Sequence, residues 1–237
     1  RYFAVVPEQY TMETQKKIVS MTSGKGTMNI DIVSFNRLAD RIFEETGTST
    51  AQLLDDTGKC MVLRKVMDMR KDELKVFKSK ISYPGFIDEV QSLISEFYQY
   101  GIGEKEMQDI IDKAEKRPLL KGKMEDIMII ATEFKKYLEG KFMIPEEMMS
   151  KLCGAIPKSE IIRESIITFD GFTGFTALQY NVIENLLKYG RDVVITITMQ
   201  KKPSNEDLFS LSSKTIKKLE CIAENQEKKV IKKYMDG

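Results

Sequence analysis

Asp170 is the residue whose type and setting most invite chemistry. It closes a short β-branched apolar run, Ile166-Ile167-Thr168-Phe169, and is followed by Gly171, Gly174 and a helix opening near Thr176. Apolar strand, acid at its carboxyl end, glycine-rich turn, helix: a nucleotide-binding parallel sheet presents a side chain to its ligand crevice in this way. In a working NTPase such an acid holds Mg²⁺, and the next residue is commonly a glutamate that activates the attacking water. Here the next residue is Gly171, so the acid is present and the base is missing. The same residues also read as an ordinary turn, since glycine tolerates positive φ and aspartate caps a following helix. A second stretch, Ser23-Gly24-Lys25-Gly26-Thr27, looks like the tail of a phosphate loop. It lacks the GxxxxGK-Ser/Thr spacing and leads into a strand rather than a helix, so it is read as a plain loop.

Composition narrows the chemistry further. There is no histidine, which removes His-based nucleophile triads and most catalytic zinc sites. Cys60, Cys153 and Cys221 are widely separated and form no zinc or redox spacing; they read as reduced thiols, which points to the cytoplasm. A net charge of +1 gives no field over the whole chain that would steer it to nucleic acid, so any DNA contact must be a local patch. No apolar run is long enough to span a membrane. The chain opens on Arg1-Tyr2-Phe3, already inside an apparent strand and without an initiator Met, and is expected to be a piece of a longer protein.

The elements that must position Asp170 follow from the hydrophobic pattern. Tyr2–Val6 is a strand stopped by Pro7, with Thr11 expected to cap the next helix. Asn29–Phe35 is a second strand, running into a helix from Asn36 to Glu45. From Thr46 to about Glu160 strand signals vanish and helical periodicity takes over: helices are expected over 55–68, from Pro84 to Gly101, and over 104–114, 123–138 and 145–152. The many methionines there read as core filler. Beyond Glu160 the α/β pattern returns with the 166–169 strand, a helix over 176–188, and a strand over 192–199 patterned as fully buried. A loop begins at Pro203, a helix covers 213–225, and Val230 and Ile231 suggest a closing strand. The expected architecture is an α/β domain from residues 1–48 and 160–237, with a helical subdomain, 49–159, inserted between its parts. The Lys-rich segments Lys113–Lys123 and Lys228–Lys233 read as solvated faces.

Three separated stretches, FAVVPEQYT, IDIVSFNRLADRIFEETG and FDGFTGFTALQ, together with the helical insert and the later LFSLSSKTIKKL, resemble one family. It is the AddB family, whose members belong to the bacterial AddAB ATP-dependent helicase–nuclease; the likeness is to their amino-terminal region. The resemblance implies a RecA-like, P-loop-NTPase parallel sheet of the UvrD helicase type and a parent exonuclease subunit acting in DNA repair and recombination. It implies that this region does not drive translocation but lies along the single-stranded DNA leaving a motor subunit, AddA, and in some members scans it for the hotspot sequence Chi. The family's phosphate loop would precede Arg1, and its iron–sulfur nuclease domain would also lie elsewhere. ATP, Mg²⁺ and that cluster therefore belong to the parent complex, with no cofactor expected in this chain.

Residue by residue, the resemblance places DNA-reading positions on Gln9, Thr11, Phe35 and Arg37. Amide and hydroxyl groups read base edges, an aromatic ring stacks on a base, and arginine pairs with guanine or phosphate. A further family position, aromatic in some members, is Asp40 here; an acid cannot stack, repels phosphate, and stands one helical turn from Arg37, where it could pair with it. Phe172 and Phe175 are additional stacking candidates, or else pack under the turn. Asp170 becomes the remnant of an NTPase acid. Two other readings of the whole stay open: an active ATPase or DNA helicase, and a structural domain that only holds the partner subunit.

Overall fold

The computed structural model describes residues 1–22, 29–48, 51–199 and 209–234. Strand β1 (Tyr2–Val5) leads through a 3₁₀ turn (Glu8–Tyr10) into α1 (Thr11–Met21), and β2 (Ile30–Val33) leads into α2 (Phe35–Thr46). A two-residue strand, β3 (Gln52–Leu53), precedes α3 (Asp56–Met69), α4 (Phe86–Tyr100), α5 (Glu104–Lys113) and α6 (Pro118–Leu138). Then follow β4 (Phe142–Met143), α7 (Pro145–Ala155), α8 (Glu160–Glu164), β5 (Ile166–Phe169), α9 (Ala177–Tyr189), β6 (Asp192–Ile195) and α10 (Ser210–Asn225). The chain divides into two compact units, Arg1–Ser49 with Met148–Gly237, and Thr50–Glu147. The return crossing thus lies at 147/148, ahead of residue 160, where strand patterning resumes.

The first unit is α/β. Its sheet is parallel throughout, in the order β2-β1-β5-β6, with Val5 registered against both Val33 and Phe169. Phe3, Val5, Ile167 and Phe169 are essentially fully buried, so the two central strands supply the core beneath the site. Several boundaries differ from those expected. β2 stops at Val33 because Ser34 leaves the ladder to cap α2, its Oγ accepting the Arg37 N–H at 3.4 Å. Phe35 therefore opens the helix instead of ending the strand. β6 covers only 192–195, and its position at the end of the sheet order leaves Val194 45% exposed despite the apolar run it belongs to. Val230 and Ile231 form no strand; both are exposed. α9 starts where expected, held by a reciprocal cap: Thr176 Oγ1 accepts the Gln179 N–H at 3.3 Å and Gln179 Oε1 accepts the Thr176 N–H at 2.9 Å.

The second unit is helical, with one exception that periodicity missed. β3 and β4 form a two-stranded parallel ladder, Gln52 opposite Phe142 and Leu53 opposite Met143, extended by the Leu54 N–H donating to the Met143 carbonyl at 2.8 Å. Two residues per strand are too few to leave a sequence signal. The core joins Leu63 and Met67 of α3, Val90 and Ile94 of α4, and Ile130 and Phe134 of α6. Methionine divides: Met67 is buried, whereas Met61 and Met69 are exposed. α6 begins at Pro118, five residues before the expected Lys123, because proline is well placed in a first helical turn. One carboxylate organises the connection before α4. Asp126, fully buried, accepts the backbone N–H groups of Lys75, Val76 and Phe77, each at 2.8 Å.

Candidate nucleic-acid interface

From β1 the chain steps outward to β2 on one side, and from β5 to β6 on the other. The direction of winding changes between β1 and β5, and a crevice at the carboxyl ends of such a pair is where open α/β sheets take ligands. Backbone bonds stitch the segments together there. The Val6 N–H donates to the Val33 carbonyl (2.9 Å), Asp170 N–H to Val5 (3.0 Å) and Thr196 N–H to Phe169 (2.9 Å). The stretches after β1, β2, β5 and β6 thus share one rim.

Gly171 sits on that rim with φ of 77°, a left-handed backbone. A Cβ added there would lie 3.5 Å from Pro7 Cδ and 3.7 Å from Tyr10 Cδ2. Asp170 is exposed and accepts a hydrogen bond from the Thr196 hydroxyl. Among the described residues no group of three or more Cys, Asp or Glu side chains is placed to hold a metal. Gly171 offers no carboxylate that could activate a water, and no chemical step is assigned to this rim. The phosphate-loop-like Ser23–Thr27 lies outside the described residues, as does the loop at Pro203.

The rim carries an aromatic cluster. Phe169 lies at its centre, wholly buried, with ring centroids of Phe35, Phe172 and Phe175 at 5.5, 6.2 and 5.9 Å. Phe172 and Phe175 are half-buried and lie 5.0 Å from each other, tilted by 32°. Phe175 meets Tyr180 at 5.6 Å, and the Lys218 ammonium stands 4.0 Å from the Tyr180 centroid, a cation–π contact.

The polar residues fall into two groups. Gln9 and Arg37 are exposed. Thr11 is buried and its hydroxyl donates to the Glu8 carbonyl at 2.9 Å; it is the first residue of α1, not its cap, which is Tyr10. Phe35 is only 6% exposed, so its ring supports Phe172 from beneath. Arg37 keeps 62% of its side chain exposed and pairs with Glu8, not Asp40: its Nε is 3.8 Å from a Glu8 carboxylate oxygen. The 3₁₀ turn after Pro7 brings Glu8 there. Burial, with the charges of Glu44 and Glu8, pushes the Asp40 carboxyl above the usual carboxylate range. The sequence reading did not find Glu8, Thr196 or Lys218. Their partners lie 29, 26 and 38 residues away, and no local spacing marks them.

Comparison with known proteins assigns the chain. The family model described as "ADDB, N-terminal" matches residues 1–237. A protein of Lachnoclostridium phytofermentans, named as the B component of an ATP-dependent helicase/deoxyribonuclease, is 41% identical over 232 residues, covering 96% of this chain and 20% of the relative. Proteins of the same name from Alkaliphilus metalliredigens and Bacillus cereus are 33% and 29% identical, over 98% and 94% of this chain and 20% of each relative. The chain thus spans about a fifth of the length of the curated relatives it matches. Matched along its whole length to that family model and nearly so to these relatives, the chain belongs to the AddB family, in its amino-terminal region.

Proposed function

We propose that this chain is the helicase-like, non-hydrolysing amino-terminal region of an ATP-dependent helicase–nuclease subunit that serves double-strand break repair by recombination in the bacterial cytoplasm. In this reading it binds single-stranded DNA along the carboxyl rim of its sheet and braces an AddA-type motor subunit, the partner that the relatives' naming as one component of a helicase/deoxyribonuclease calls for. The observation that carries the proposal is the half-buried Phe172–Phe175 ring pair, 5.0 Å apart, on the same rim as exposed Gln9 and Arg37. Rings of this kind stack on bases of any sequence, while an arginine neutralises phosphate or grips a guanine edge. Buried Phe35 and Phe169 fix the height of the two rings. The parallel sheet, with Asp170 closing β5 at the change of winding, supports a RecA-like, UvrD-type relationship. Gly171 supports the loss of hydrolysis, because no side chain there can orient a water. Hotspot reading would rest on Gln9 and Arg37, since the Thr11 hydroxyl is engaged by Glu8.

The test uses the full-length protein assembled with its partner and single-stranded oligonucleotides over a range of salt. Phe172→Ala is expected to cost about 1–3 kcal/mol of binding with little change in salt dependence. Arg37→Ala is expected to reduce the slope of log affinity against log salt by about 0.7. Unchanged binding in both variants would place the strand elsewhere.

A further inference from the structure

We infer that the helical unit holds one ordered water molecule, bridging the buried Lys59–Glu146 pair between α3 and the first turn of α7. Both residues belong to the Thr50–Glu147 unit. The Lys59 side chain is 6% exposed and that of Glu146 8%. Lys59 Nζ stands 3.8 Å from Glu146 Oε1, close enough for the charges to attract and too far for a hydrogen bond. The other carboxylate oxygen decides the matter. Among the described residues, Glu146 Oε2 is the one buried side-chain nitrogen or oxygen without a hydrogen-bond partner. Lys59 is under-used as well. An ammonium carries three N–H donors. One is engaged by Asp56 Oδ1 at 3.0 Å and one by Ser95 Oγ at 3.4 Å. The Gln91 amide on α4 completes that network, donating to Asp56 Oδ1 at 3.2 Å and to Ser95 Oγ at 3.3 Å. A third Lys59 donor and the Glu146 Oε2 lone pairs remain, within one buried ion pair.

A desolvated carboxylate that accepts no hydrogen bond is costly, and attraction across a gap does not satisfy its lone pairs. The group that satisfies them must be small, neutral, and both donor and acceptor. The Lys59 ammonium already supplies the positive charge, and an anion would be repelled by Glu146. Water has the size and both kinds of hydrogen bond: it accepts the third Lys59 N–H and donates to Oε2. Asp56, with 82% of its side chain exposed, gives the network an end in solvent from which the molecule exchanges. The bridge has a structural consequence. Only Ile144 separates β4 from α7, and the water ties the first turn of that helix to α3.

The test is a crystal structure of the full-length protein at a resolution that shows ordered solvent, with hydrogen exchange measured alongside. A solvent peak is expected about 2.7–3.2 Å from both Lys59 Nζ and Glu146 Oε2. Glu146→Gln keeps an acceptor oxygen and is expected to keep the peak. Glu146→Leu is expected to lose it and to speed amide exchange over residues 148–152 of α7 by about tenfold or more, because it strands a buried ammonium. Lys59→Met/Glu146→Leu replaces both partners with apolar side chains and is expected to restore most of that protection. A direct Nζ–Oε2 contact without solvent overturns the inference, as does a Glu146 carboxylate turned into bulk water. A peak ringed by oxygens at the shorter distances of a metal ion overturns it too. So does a peak that persists in Glu146→Leu, or a double variant that exchanges as fast as the single one.

Discussion

At position 40 a carboxylate faces two other acids, Glu44 and Glu8, on the rim that also carries Arg37. Burial, then those two charges, raise its pKa in the folded protein. A raised carboxyl favours the fold when protonated, so its contribution is complete below the ordinary carboxylate range and is lost as pH rises through the raised value. Asp40→Asn is therefore expected to raise the melting temperature at pH 7, by a few tenths of a kcal/mol at most because the site is well exposed, and to have no effect in acid. The same change removes an acid beside Arg37 and is expected to strengthen single-strand binding, opposite to Arg37→Ala. Cys60 offers a second check. Burial first, and then its hydrogen bond to Asp88, push its thiol up to about 11, so it remains a thiol near neutrality. Iodoacetamide should label exposed Cys221 well before Cys60, as peptide mapping over time would show. At this scale the sequence speaks through chain neighbours. Asp170 followed by Gly171 is legible because both features lie in one turn. The Arg37–Glu8 pair is not, because a tertiary approach creates it. The setting of Phe35 turns on one hydroxyl: Ser34 caps α2 and swings the ring inward.

Among the elements, α6 shows best what periodicity sees and what it misses. Its apolar stripe announces a helix, but the role of Asp126, fully buried in that helix, is not visible in the sequence. Its reason is the connection it holds, where three backbone N–H groups have that one carboxylate as acceptor. Asp126→Ala is expected to destabilise the helical unit by about 3–5 kcal/mol, because it leaves buried donors unpaired, and thermal unfolding would show it. Thr176→Ala, which removes the cap of α9, is expected to cost about 1 kcal/mol, and Thr176→Ser to recover most of it. α9 was legible to within a residue, its start being marked by a local capping box. The short extent of β6 was not: an apolar run looks the same in the middle of a sheet as at its edge, and strand order is a property of the whole sheet.

For the whole molecule, the buried core described for the 50–147 unit is drawn from residues 62 to 144 of that unit. A polypeptide of residues 50–147 is accordingly expected to fold alone, with helical circular dichroism and a single cooperative melt; a non-cooperative melt would contradict that. The alternation of α/β and all-helical stretches was visible in the sequence, since composition and period both change near residue 46 and again near 160. The crossing at 147/148 was not, because α7 runs through it without a break in helical pattern.

The β3–β4 ladder holds the incoming and outgoing chain of the helical unit one strand spacing apart, about 4.8 Å. Residues 51 and 144 flank that ladder and are separated by roughly 11 Å at the usual strand rise. A bridge of about four residues spans such a gap. In the language of gene rearrangement, the helical unit is a cassette with its ends held close: exchanging it for a shorter or longer one changes loop closure by only about 0.6 kcal/mol per doubling of length. Variation in this family is therefore expected to include wholesale replacement of the segment between these two strands, with the rim that carries Arg37 and Phe172 left intact.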